Sequence, residues 1–367
     1  MKRNRLVSLV LAVIMLTALF AGCSKAGKTT SAATGSTPAS GSATSAATTS
    51  ASAAQSSASG TQTKVALLLT SAINDAGWGE SSYNGLMKAK DEFNLDTAYT
   101  ENMELVDMES AIRDYVDLGY GIIVLSSADF YETAVSVAPQ FPDTRFVMIN
   151  GSDCLEPNMA NFRPNTPECG FLAGCFAGLV TKTNTVGMIG GKSAAPVVDA
   201  MNGFTAGAKY VNDKANVLSS YLDSWTDINK GSEATLAMIE SGADVVCANT
   251  SQAAMGTITA AQNKGILAVG YIDDQHDVAP GTVPFSALQD VGMCVYQGIS
   301  AALQPTYEIA TKVLGAADGV ISLSDFYKMG EEDVPAEVQS KMQEIYNGIL
   351  DGSLKDQGIL PKSSFEK

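Results

Sequence analysis

The chain has 367 residues, 23 basic and 39 acidic side chains, a net charge of −16 and one His. That length allows two domains with proper cores, while the acidic balance excludes a nucleic-acid binder, which needs clustered Lys and Arg. A poly-His zinc site is excluded as well, and a Ser-His-Asp or Cys-His machine would have to use His276, which sits in the acidic, loop-like run Asp273-Asp274-Gln275-His276-Asp277.

In chain order, Lys2, Arg3 and Arg5 precede an uncharged stretch of 17 residues, Leu6 to Gly22, the n-region and h-region of a secretory signal. Residues 1–22 are therefore read as a signal peptide. Phe20-Ala21-Gly22-Cys23 resembles a bacterial lipobox, in which the Cys is lipidated and becomes the mature N-terminus. From Thr29 to Thr63 there are 35 residues without a charge, almost all Ser, Ala, Thr and Gly. Such a composition cannot bury a core, so residues 23–63 read as a lipidated Cys and a flexible linker. The 35 uncharged residues alone span roughly 30–35 Å on average and about 110–125 Å when extended. The expected location is the extracytoplasmic face of the cell membrane, with the lipid as the anchor. Cleavage leaves 20 basic and 39 acidic residues, a charge of −19.

From Lys64 short apolar runs alternate with stretches of helical spacing. Val65 to Leu69, Ile122 to Leu125, Phe146 to Ile149, Val186 to Ile189, Val245 to Cys247 and Ile266 to Val269 read as strands buried on both faces. Tyr83 to Phe93, Met108 to Leu118, Val197 to Val211, Glu233 to Ile239 and Ala253 to Asn263 read as helices. This alternation implies an α/β fold of two lobes, each a mostly parallel sheet flanked by helices. The expected division is 64–182 for the N-terminal lobe and 183–290 for the C-terminal lobe. Residues 291–367 would supply a hinge-crossing helix and the segments that complete both. Of the five remaining cysteines, Cys154 with Cys169 is the one pair worth testing for a disulfide; Cys247 lies in an apolar run and reads as core.

Ligands of open parallel sheets sit beyond the carboxyl ends of strands. The chain's only two Trp residues, Trp78 and Trp225, both fall in such loops, one in each lobe. As two walls around a flat ring they would contribute about 2–6 kcal/mol of the roughly 8 kcal/mol that micromolar binding needs. Polar groups must supply the rest, and Asp75, Asp129, Asn249 and Asp273 are best placed, although each also has the ordinary reading of a helix cap or turn residue. Gly187 to Ser193 lacks the four-residue spacer of a phosphate-binding loop and reads as a tight turn. No Asp/Glu pair stands out for carboxylate catalysis, so no enzyme and no cofactor is implied.

Several segments together resemble the basic membrane protein family of bacterial lipoproteins, which includes purine nucleoside receptors of ABC importers. Asn74-Asp75-Ala76-Gly77-Trp78 is similar to the family's entry motif, with Gly79 in place of its Asn. Cys169-Gly170-Phe171-Leu172-Ala173-Gly174 resembles its Gly-Phe-Leu-Ala-Gly helix, and Ser224-Trp225-Thr226-Asp227 its aromatic-x-Asp loop. The resemblance spans nearly all of residues 64–360 and implies a type I periplasmic-binding-protein fold that closes over a ligand. Trp78 and Trp225 would be the stacking walls and Asp129 a polar contact. Two departures stand at the ribose contacts: Ile272 aligns with an Asp, and Gln289, kept as an expected ligand contact, with a Lys. The implied function is capture of a ring-containing solute, a purine nucleoside or nucleobase favoured, by a monomer that delivers it to an ABC permease. A sugar receptor and a ligand sensor are the alternatives.

Overall fold

A computed structural model of the chain describes residues 62–365. The signal peptide, the lipidation site Cys23 and nearly all of the linker lie outside the described residues.

The first half runs β1 (Lys64–Leu69), α1 (Trp78–Phe93), β2 (Asp96–Thr100), α2 (Met108–Asp117), β3 (Ile122–Ser126), α3 (Tyr131–Val137), β4 (Arg145–Ile149), β5 (Met159–Pro164) and α4 (Thr166–Val180). The second runs β6 (Thr185–Gly190), α5 (Ala195–Val211), β7 (Asn216–Tyr221), α6 (Ile228–Glu240), β8 (Val245–Asn249), α7 (Ala254–Lys264), β9 (Leu267–Ile272) and β10 (Ser286–Gln289). After these come α8 (Val291–Ala302), β11 (Thr311–Leu314), β12 (Ile321–Leu323) and α9 (Ala336–Leu350). One six-stranded sheet has the order β11-β5-β4-β3-β1-β2 and is parallel throughout. The other repeats that order as β12-β10-β9-β8-β6-β7, with only β12 antiparallel. Strands such as Val65 to Leu69 are wholly buried because helices cover both faces.

Two helices are exchanged between the lobes. Although α4 follows the first sheet in the chain, it packs on α5 and on β8, β9 and β10 of the second. The passage between lobes therefore falls at Asn165, between β5 and α4, ahead of the boundary expected at 182. Glycines make the attachment: a Cβ on Gly170 or Gly174 would lie 2.0 Å from the carbonyl oxygens of Ala200 or Phe204, and one on Gly207 would lie 2.1 Å from that of Phe171. No residue with a side chain fits at those points. In return α8 packs on α1, β4 and β5 of the first lobe, with Gly85 against Gly292. The chain crosses again at Gln289–Val291 and once more between β11 and β12.

Cys154 and Cys169 do not pair, and all five cysteines among the described residues are free. Cys154 lies in the loop before β5, whereas Cys169 is carried off by α4 to the second lobe, where its thiol faces the Ala287 carbonyl at 3.5 Å.

Candidate functional site

In each sheet the strand order reverses beside the first strand, between β1 and β3 in one and between β6 and β8 in the other. Loops leaving neighbouring strands there diverge to opposite faces and open a crevice. The two crevices face each other.

On the first lobe, α1 begins at Trp78, five residues ahead of the expected Tyr83. The cause is Asp75, whose carboxylate accepts from the backbone N–H of Gly77 at 3.0 Å, Gly79 at 3.1 Å and Glu80 at 3.1 Å, while Glu80 accepts from Ala76 N–H at 3.1 Å. The orphan donors of the first turn are thereby satisfied. Gly79 has no room for a Cβ, which would sit 2.0 Å from the Ala72 carbonyl oxygen. Trp78 is thus the first helical residue, and its indole N–H donates to the backbone oxygen and Oγ of Ser126, each at 3.0 Å. Its ring is fixed in its own lobe.

On the second lobe, Trp225 lies on the backbone of Gly191, where a Cβ would come within 2.2 Å of the ring. Its indole N–H donates across the crevice to Asp129 Oδ2 at 3.0 Å, and Lys192 Nζ reaches the same oxygen at 2.7 Å. Two further bonds cross between lobes, Ser251 Oγ to Asp75 Oδ2 at 2.6 Å and Gln275 Nε2 to the Ala76 carbonyl at 3.0 Å. The structure is the closed form.

Between the lobes lies a cavity whose non-atom space, open solvent at its mouth included, is about 600 Å³. Trp78 and Trp225 line it from opposite lobes, together with Asn249, Ile272 and Gln289. None of the described residues that line it is charged. Ser71 Oγ, Asn150 Oδ1 and Gln289 Oε1 are buried there without a hydrogen-bond partner. Each such group costs about 1–3 kcal/mol until something satisfies it. Ile272 has φ +78° and Ser251 φ +48°; a β-branched residue rarely adopts the left-handed region, and strain of this kind gathers at ligand sites.

Four of the seven expected contacts, Trp78, Trp225, Asn249 and Gln289, therefore line one cavity. The three aspartates do not. Asp75 caps α1, Asp129 bridges the lobes, and Asp273 lies among Glu80, Asp75, Asp290 and Asp274. Burial first, and then those four acids, raise its carboxyl from 3.8 to about 7. His276 is structural: it stacks on Tyr327 with ring centroids 3.7 Å apart. Asn150 directly follows β4, so the strand-end rule that singles out Asn249 reaches it too. Thr166, Pro196 and Val197 also line the cavity, and only the return of α4 and α5 to the crevice brings them there.

Two lobes of one strand order, with an aromatic from each facing a cleft at both switch points, define a solute-binding protein of the type I periplasmic-binding class. Residues 62–353 match the family described as ABC transporter substrate-binding protein PnrA-like, and the chain belongs to that family, Bmp. Members bind solutes and are not enzymes, so this chain is an ABC-transporter substrate-binding protein. It is 29% identical to the transcriptional activator protein med of Bacillus subtilis over 77% of this chain and 88% of that one. It is 26% identical to a purine-binding protein of Brucella abortus over 79% of this chain and 82% of that one. Among solved structures, an ABC transporter solute-binding protein from Aeropyrum pernix superposes with a TM-score of 0.70 at 18% identity, over 79% of this chain and 92% of that one. That likeness concerns the fold.

Proposed function

We propose that the protein is the receptor of an ABC importer, anchored by a lipid on Cys23 to the extracytoplasmic face of the membrane. It acts as a monomer, closes on one uncharged, ring-containing solute and passes it to a membrane permease. A purine nucleoside or nucleobase is the favoured solute. One observation carries the reading: two tryptophans from opposite lobes line a cavity without charged side chains, in which Ser71, Asn150 and Gln289 hold unsatisfied polar atoms. Stacking on two indoles would contribute about 2–6 kcal/mol. Hydrogen bonds to the three orphans, at about 0.5–1.5 kcal/mol each, widen the sum to about 3.5–10.5 kcal/mol, a range that contains the roughly 8 kcal/mol of micromolar affinity. Asn150 and Gln289 can turn either the oxygen or the NH2 of the amide to the solute, which suits the mixed edge of a nucleobase. The similarity to a purine-binding protein supports the same choice.

Sugars also stack on indoles, and Ile272 and Gln289 replace the charged ribose contacts implied by the family resemblance, which keeps a sugar as the second reading. A thermal-shift screen of nucleosides, nucleobases, sugars and amino acids separates the two. Nucleosides or nucleobases should raise the melting temperature; shifts with sugars alone would sink the purine reading. Trp78→Ala and Trp225→Ala should each weaken binding of the hit by tenfold or more, with melting of the unliganded protein little changed. Unfolding in either variant would mean that the ring is a cap on its own lobe's core.

A further inference from the structure

In this closed form the Asp129 carboxylate is engaged by the opposite lobe. Its side chain is 16% exposed, and one oxygen, Oδ2, accepts from both Trp225 Nε1 and Lys192 Nζ. Both donors sit on loops of the second lobe, whereas Asp129 follows β3 of the first, in a short turn held by Ser127 Oγ at 3.2 Å from the Asp129 N–H. We propose that Asp129 is a positioning residue: it sets the plane of the Trp225 ring and, through Lys192, ties the second lobe to the first, so that it governs how long a closed receptor keeps its solute. The proposal takes Trp225 as a stacking wall from the reading above.

Three features support it. An indole has a single N–H, and the acceptor of this one lies across the crevice, so the bond exists only when the lobes meet. The opposite side of the ring has no freedom, since Gly191 lies against it with no space for a Cβ; the backbone therefore fixes one face and Asp129 the in-plane rotation. The other cross-lobe bonds, Asp75 with Ser251 and Ala76 with Gln275, stand just before α1, whose Ser81 is bonded to Gly292 of the crossing segment at 3.0 Å. Those contacts sit beside the hinge. The Asp129 contact is the cross-lobe one that carries an ion pair, and bonds to charged groups are the stronger kind.

The test has an arm without ligand and an arm with one. In a Trp78→Phe background, Trp225 is the only indole, and its emission in the unliganded protein should shift to the red in Asp129→Ala, with a larger radius of gyration by small-angle X-ray scattering. Lys192→Gln, at a half-exposed position, should act in the same direction and guards against a folding defect in the Asp129 variant. With adenosine as the probe, stopped-flow fluorescence should show dissociation about tenfold faster in Asp129→Ala, with association changed less than threefold, since one such bond corresponds to roughly a factor of ten. Asp129→Asn, which keeps an acceptor for the indole and loses the ion pair, should fall between. Unchanged emission and radius would overturn the proposal, as would slower association at an unchanged dissociation rate. If adenosine fails to bind the parent protein, the purine reading fails and the ligand-free arm still decides the role of Asp129.

Discussion

Asp273 carries a buried Oδ2 without a partner and a carboxyl raised to about 7, first by burial and then by Glu80, Asp75, Asp290 and Asp274. Its folded-state value lies above its unfolded one, so the stability associated with it is fully present below about pH 4 and is lost as the pH rises through 7. Asp273→Asn should therefore stabilise the protein by roughly 2–4 kcal/mol at pH 8 and hardly at all at pH 4, as urea titrations at the two values would read. No gain at pH 8 would mean that the ionised carboxylate is accommodated. Short acids near strand ends are where sequence alone misleads, because Asp75 and Asp273 have the same local setting as a ligand contact, and only the accounting of backbone N–H groups reveals Asp75 as a cap. The tryptophans and Asn249 were legible because strand-end loops are few and large rings in them are rare, and Gln289 was legible only through the family resemblance.

Among elements, α4 and α5 approach so closely that backbone touches backbone, at Gly170, Gly174, Gly203 and Gly207. Gly174→Ala places a methyl 2.0 Å from a carbonyl oxygen and forces the helices apart, an overpacking worth about 1–3 kcal/mol. Gly121→Ala, with no heavy atom within 4 Å and no positive φ, serves as the control. Thermal denaturation should show a clear fall for the first and near-parent melting for the second; equal behaviour would show that the contact relaxes at little cost. Strands β1, β3, β4, β6, β8 and β9 and helices α1, α2, α5, α6 and α7 are visible in the sequence as apolar runs and 3.6-residue periods, whereas the edge strands β2 and β7, half exposed, are not. Nor is the partner of α4, because that helix is apolar all round, which predicts burial without saying beneath which sheet. The early start of α1 was hidden for a related reason: Trp78, Gly79 and Glu80 form no apolar stripe, and the helix begins there on the strength of the Asp75 cap.

At the level of the whole molecule, alternation of strand and helix was enough to read two α/β lobes, while the exchange of α4 and α8 arises from tertiary contacts such as Gly170 with Ala200 and Gly85 with Gly292 and leaves no periodic trace. A fragment of residues 62–182 contains β1 to β5 but lacks β11, α8 and everything that covers α4. It should show no cooperative melting transition by circular dichroism and should elute as an expanded or associated species. A sharp transition would mean that the first lobe folds alone.

The exchange also sets the order of events for a chain that emerges N-terminus first. The first sheet lacks its edge strand until Leu314 is out, and the second until Leu323. Such long-range pairings form slowly and late. Neither wall of the cleft is complete until nearly the whole chain is available, so a solute has no finished site to occupy before then.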